Sequence, residues 1–238
     1  MLNQRALIAA VIAASGLAAS ASAQTQQWNN PFGGVWGAAS NWTPENVPDA
    51  VSEFAVIAIP GTYTVILDLN PTVGGITIGN PNATLEVPNT RQLISLGVSN
   101  TGWIVVNPTA GGSATTLRID GGGVLDGSGT IVLNASAANI TTAVLHANGA
   151  ATFGPGQTIA GRGRVTGSHL LHGTIAPGSA TAAGFIEVGN ALTLTETSTV
   201  AIKVGGLAPT EFDRSGGSGA KAIDGRLVVT LLDDSIPS

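Results

Sequence analysis

The chain contains no cysteine, so no disulfide can brace it and no thiolate can ligate a metal; backbone ladders and packing must hold the fold. Charge is scarce too. Only 10% of residues are Asp, Glu, Lys or Arg, the balance is −5, and no basic block occurs, which argues against nucleic acid and anionic membrane surfaces as partners. Helical patterning is also missing, because beyond the first residues no stretch of about eleven spaces its apolar side chains at 3.6. What the chain has instead is 33 glycines together with abundant Thr, Val, Ile and Ala, the composition of many turns joined to short strands.

Its opening, "MLNQRALIAAVIAASGLAASASA", carries one charge, Arg5, before an apolar run from Ala6 to Ala19 and an A-x-A formed by Ala21 and Ala23. This resembles a secretory signal cleaved between Ala23 and Gln24, and the run is too short for a membrane span. A signal over residues 1–23 is therefore expected, with the mature part secreted or at the cell surface and not inserted in a membrane.

Period-2 alternation recurs from there on. Tyr63, Val65, Leu67 and Leu69 share one face against Thr64 and Asp68, and similar runs hold Ile76 and Ile78, Leu85 and Val87, Trp103 to Val106, Leu117 and Ile119, Ile131 and Leu133. Further runs at Ile186 and Val188, Leu192 and Leu194, Val200 to Val204 and Leu227 to Leu231 bring the expected total to roughly a dozen strands. Two architectures fit: an antiparallel β-sandwich, or a right-handed parallel β-helix (β-solenoid). Asn-Gly and Asp-Gly pairs are rarely framed by matched strands. Gly127, Gly129 and Ile131 are echoed by Gly161, Gly163 and Val165, and this recurrence favours stacked turns with glycine at their corners. The all-β solenoid is expected over residues 51–238, with residues 24–50 as an aromatic-rich N-terminal cap.

From Gly173 to Gly178 the chain reads G-x-I-x-P-G, followed by Gly189 to Leu194, the alternating Val200 to Val204, the pair Phe212-Asp213 and Gly225 to Leu231. The order of these motifs, with the Trp-x5-Trp and Val-Pro of Gly34 to Ala50, resembles secreted bacterial β-solenoid repeat proteins. These are the autotransporter passenger-type repeats and the extracellular proteins ending in PEP-CTERM or dockerin modules. The resemblance implies a secreted or surface, adhesin-like structural role without catalysis. It also implies that "SGGSG" (Ser215 to Gly219) is an open loop where relatives have a strand. Relatives continue past the apolar Leu227 to Leu232, which predicts a truncated chain whose full form carries an attachment module.

Chemistry-bearing patterns are few. Val132 and Thr166 stand where G-x-G-x-x-G needs its third glycine, which argues against dinucleotide binding. "GGGVLDGSG" lacks the glycine that the calcium nonapeptide G-G-x-G-x-D places two residues before its aspartate, and it does not repeat. His169 and His172, three apart, face opposite ways on a straight strand and so do not share a metal, while His146 is isolated and reads as a surface residue. Asp120 and Asp126, beside Arg118, are the nearest pair of acids for the two-carboxylate chemistry of a polysaccharide hydrolase, but the same residues suit an ordinary polar face. No cofactor or metal is expected. Trp28, Trp36 and Trp42, near Phe32, read either as the plug that an open coil end requires or as stacking contacts for carbohydrate. A carbohydrate-active β-helix enzyme and a carbohydrate-binding module remain the alternatives, with extracellular polysaccharide or the cell envelope as the expected partner.

Overall fold

A computed structural model describes residues 23–189, 192–218, 221–222 and 224–232. The expected signal, apart from Ala23, and residues 233–238 lie outside the described residues. The chain is all-β and forms a parallel β-solenoid of about 7 turns. Each turn supplies up to three strands, and each strand pairs with its counterparts in the turns before and after. Three ladders result. The first runs through Gln24–Trp28, Glu53–Ile57, Gly75–Ile78, Val98–Asn100 and Val124–Asp126. The second holds Gly34–Val35, Tyr63–Ile66, Ala83–Val87, Trp103–Val106 and Thr130–Asn134. The third holds Thr72–Val73, Gln92–Ser95 and Thr115–Asp120.

Two longer strands turn corners without a break. Ala143–Phe153 passes from the third ladder to the first, and Thr158–Leu171 passes through the second, third and first in turn. Sequence alternation finds fewer strands than the coil contains, because inside a parallel stack both neighbours impose extended backbone even on Gly- and Ser-rich segments. Among the described strands only Gln24–Trp28 with Trp42–Thr43 pairs antiparallel, which removes the sandwich.

Register corrects one sequence argument. Ile131 pairs with Ile104 and Ile159, and Leu133 with Gly161, so the glycine echo 34 positions apart is not the repeat of the coil. Turns have no fixed length. Phe153 meets Leu171 eighteen positions on, whereas Leu192 meets Lys221 twenty-nine positions on. Both glycines are corners all the same, but different ones. Gly127 (φ 105°) joins the first ladder to the second and Gly161 (φ 91°) joins the second to the third. A Cβ at either would stand 2.2 Å from a carbonyl oxygen of the turn before, so both the dihedral and the close approach require glycine.

Inward side chains stack in columns along the axis. Val65, Leu85, Ile104, Ile131, Ile159, Ile175 and Val200 form one column on the second ladder, and all but Val200 are fully buried. On the first ladder Ala55, Ile76, Val98, Leu125, Phe153, Leu171 and Leu194 form another. Each fully buried aliphatic in such a column contributes roughly 2 kcal/mol. Where the coil turns from the first ladder to the second, buried polar side chains satisfy the backbone. Asn80 donates to the Ile59 and Gly61 carbonyls, and Gln157 Nε2 donates to those of Asn100 and Asp126.

The N-terminal end is closed. Trp28, Trp36 and Trp42 are at most 1% exposed and meet edge-to-face at 5.1 and 4.8 Å between centroids. Their indole N–H groups donate to the carbonyls of Asn30, Pro48 and Trp36 respectively. Glu53 pins this plug to the first turn, accepting from Asn46 Nδ2 at 2.6 Å and from the backbone N–H groups of Asp49 and Ala50. At the other end, Arg214–Gly216 pairs with Phe185–Val188, so the "SGGSG" segment begins as a strand and not as the expected open loop. Small Ser215 takes the place in register with Ile186. Arg226–Leu231 pairs with Thr199–Val204 and leaves Leu227, Val229 and Leu231 47–66% exposed.

Candidate functional site

Strand parity decides what each ladder shows to solvent. On the second ladder, inward Val65, Leu85, Ile131, Ile159, Ile175 and Val200 put the preceding threonines Thr64, Thr84, Thr130, Thr158, Thr174 and Thr199 outward. Parallel register then aligns them. With Trp103 between Thr84 and Thr130, they form one unbroken row along the coil. None of these six hydroxyls has a hydrogen-bond partner among the described residues, so each keeps both donor and acceptor capacity.

A second outward row runs beside the threonines. It holds Val105, Val132, Ala160 and Ala176, and over its small side chains lies a groove of about 410 Å³. Trp103, 45% exposed, stands at one end of the groove and Lys203 at the other, with Gly178 to Ala180 along its side.

That side wall is firmly held. Gly161 and Gly178 exchange backbone hydrogen bonds of 3.0 and 2.7 Å, and Gly178 (φ 77°) makes the sharp exit from the strand. Ser179 Oγ accepts from the backbone N–H of Ala182, and the Gly184 N–H donates to the fully buried carboxylate of Asp213 at 2.8 Å. Lys203 Nζ bridges the Pro177 carbonyl and Asp213 at 2.7 and 2.5 Å. The G-x-I-x-P-G segment and the Phe212-Asp213 pair, far apart in sequence, therefore meet at Lys203. The charge at this end of the groove is neutralised.

Charge collects instead on the third ladder. Arg118 clasps Asp120 through two bonds of 2.6 and 3.0 Å, and Arg164 lies 3.0 Å from Glu187. His146 Nδ1 and Thr166 Oγ1 lie 2.9 Å apart on the same surface. Asp126 is not brought to Asp120. It ends a strand of the first ladder and accepts from the N–H of Gly127, part of a plain glycine turn. His169 points into the coil with Nε2 donating to the Thr166 carbonyl at 2.8 Å, while His172 faces outward, 3.1 Å from Thr195 Oγ1. The two imidazoles do not meet. Among the described residues no three His, Asp or Glu side chains gather in a metal-binding arrangement.

The three tryptophans named from the sequence as carbohydrate contacts are thus enclosed in the plug, and the exposed indole is the fourth, Trp103. Its position was readable from alternation, since Ile104 and Val106 inward put Trp103 outward. Comparison with protein-family models, with curated proteins and with solved structures found no match to this chain.

Proposed function

We propose that the chain is a secreted or cell-surface structural β-solenoid, adhesin-like, that works by contact with extracellular polymer and not by catalysis. One observation carries this reading. The outward acids of the third ladder are engaged by arginines, whereas the groove on the second ladder, whose one charged lining residue Lys203 is paired with Asp213, presents unpaired hydroxyls and an exposed indole. Glycoside hydrolysis requires two working carboxylates roughly 5–10 Å apart, and contact with a polymer requires only a regular, accessible surface. The signal-like leader and the resemblance to secreted bacterial solenoid repeats support the extracellular setting.

Two measurements test it. Fractionation of cells expressing the tagged chain should recover it from the medium or envelope, and a reducing-end assay on a polysaccharide panel should register no turnover. Recovery in the cytosol, or steady release of reducing ends, contradicts the proposal.

A further inference from the structure

We propose that the second-ladder face between Trp103 and Lys203 is a binding site for a neutral, linear polysaccharide lying along the threonine row; this deepens the polymer-contact reading and rests on it. Four features argue for that ligand class.

Charge comes first. The groove is lined by Val, Ala, Gly, Ser and Thr, and Lys203, its one charged lining residue, already rests on Asp213 and the Pro177 carbonyl. The chain as a whole carries −5. A polyanionic glycan or a nucleic acid would find no free cation in the groove and would meet a net repulsive field.

The second feature is the indole. Trp103 presents a half-exposed ring at the rim, an amphipathic surface on which the C–H face of a sugar can rest while its hydroxyls remain free to bond. Third, the hydroxyls of Thr130, Thr158, Thr174 and Thr199 repeat with the strand spacing, about 4.8 Å. Each can donate and accept, which suits a ligand that is itself a periodic row of hydroxyls. From Thr84 to Thr199 the row extends roughly 24 Å, enough for several sugar units. Fourth, the wall at Gly178 to Gly184 is fixed by the Gly161 bridge and by Asp213, so little ordering opposes binding.

The test uses the mature chain from Gln24 onward and depletion from solution by insoluble cellulose, chitin, β-1,3-glucan and mannan, with polygalacturonate as the acidic comparison. Retention by at least one neutral polymer is expected, with none on polygalacturonate. Trp103→Ala and Ala160→Arg, which removes the ring and fills the groove floor respectively, should each weaken retention at least tenfold while melting within a few degrees of the parent. Phe32→Ala, which removes the 94% exposed ring of the other end, should bind as the parent does.

Retention unaffected by Trp103→Ala and Ala160→Arg overturns the site and leaves the polymer-contact reading standing. Binding only to polygalacturonate, or to no neutral polymer, also overturns the site. Release of reducing ends by the parent, with both groove variants failing to bind, supports the site and overturns only the non-catalytic reading.

Discussion

Leu170 and Leu171 are neighbours in the chain and stand on opposite sides of one strand: Leu171 is fully buried between Phe153 and Leu194, and Leu170 is 37% exposed between Thr152 and Thr193. The same substitution at the two positions should therefore have unequal effects. Leu171→Asp places an unpaired carboxylate among apolar side chains and should cost several kcal/mol, roughly 4 or more, enough to unfold a chain of ordinary stability. Leu170→Asp should cost less than about 1 kcal/mol. Urea titrations of the two variants check this, and equal midpoints would contradict the assignment of faces, including the inward Val65, Leu67, Ile131 and Leu133.

The plug gives a second contrast. Trp36 is fully buried, contacts Trp42 and donates to the Pro48 carbonyl, so Trp36→Ala should lower stability by about 3–5 kcal/mol. It should also uncover the first turn, which limited proteolysis would register as new cleavage near residues 24–60. A normal melt for this variant would mean that the aromatic cluster does not hold the end of the coil.

Acid should weaken the fold through His169. Burial pulls its pKa from 6.5 down to about 4, against the hydrogen bond to the Thr166 carbonyl, with His146 adding a smaller downward push. The folded state thus holds the ring neutral while the unfolded chain protonates first. Stability is full above the unfolded pKa and falls as pH drops from about 6.5 towards 4, by about 3 kcal/mol from this residue. Below that window both states are protonated and the loss levels off. His169→Leu should flatten the pH dependence of the melting temperature between pH 7 and 4; an unchanged slope would assign the acid sensitivity to other groups.

Much of the fold was legible locally. Alternation at Tyr63 to Leu67 or Ile131 to Leu133 is a property of one strand, and burial follows from it directly. Register is not local. Thr130-Ile131-Val132, Thr158-Ile159-Ala160 and Thr174-Ile175-Ala176 are plain triplets in the sequence, but their spacings are 28 and 16 residues. Only hydrogen bonding between turns reveals that they stack. The evenly spaced glycines suggested a repeat that the coil does not use. They mark corners, and corners recur more than once per turn. The candidate face stayed hidden for the same reason, because a row of outward residues exists only after the register is known.

Register is also where the account is most exposed to test. The chain has no cysteine, so paired cysteines report contacts without background. Thr130 and Thr158 are outward partners on adjacent parallel strands, with an expected Cα separation of about 4.8 Å that lies within the range a disulfide bridges. The double variant Thr130→Cys with Thr158→Cys should oxidise to an intramolecular disulfide, read by mass spectrometry after non-reducing digestion, while Thr130→Cys with Arg164→Cys should remain reduced. A cross-link in the second pair and none in the first would contradict the coil, its threonine row and the site built on it.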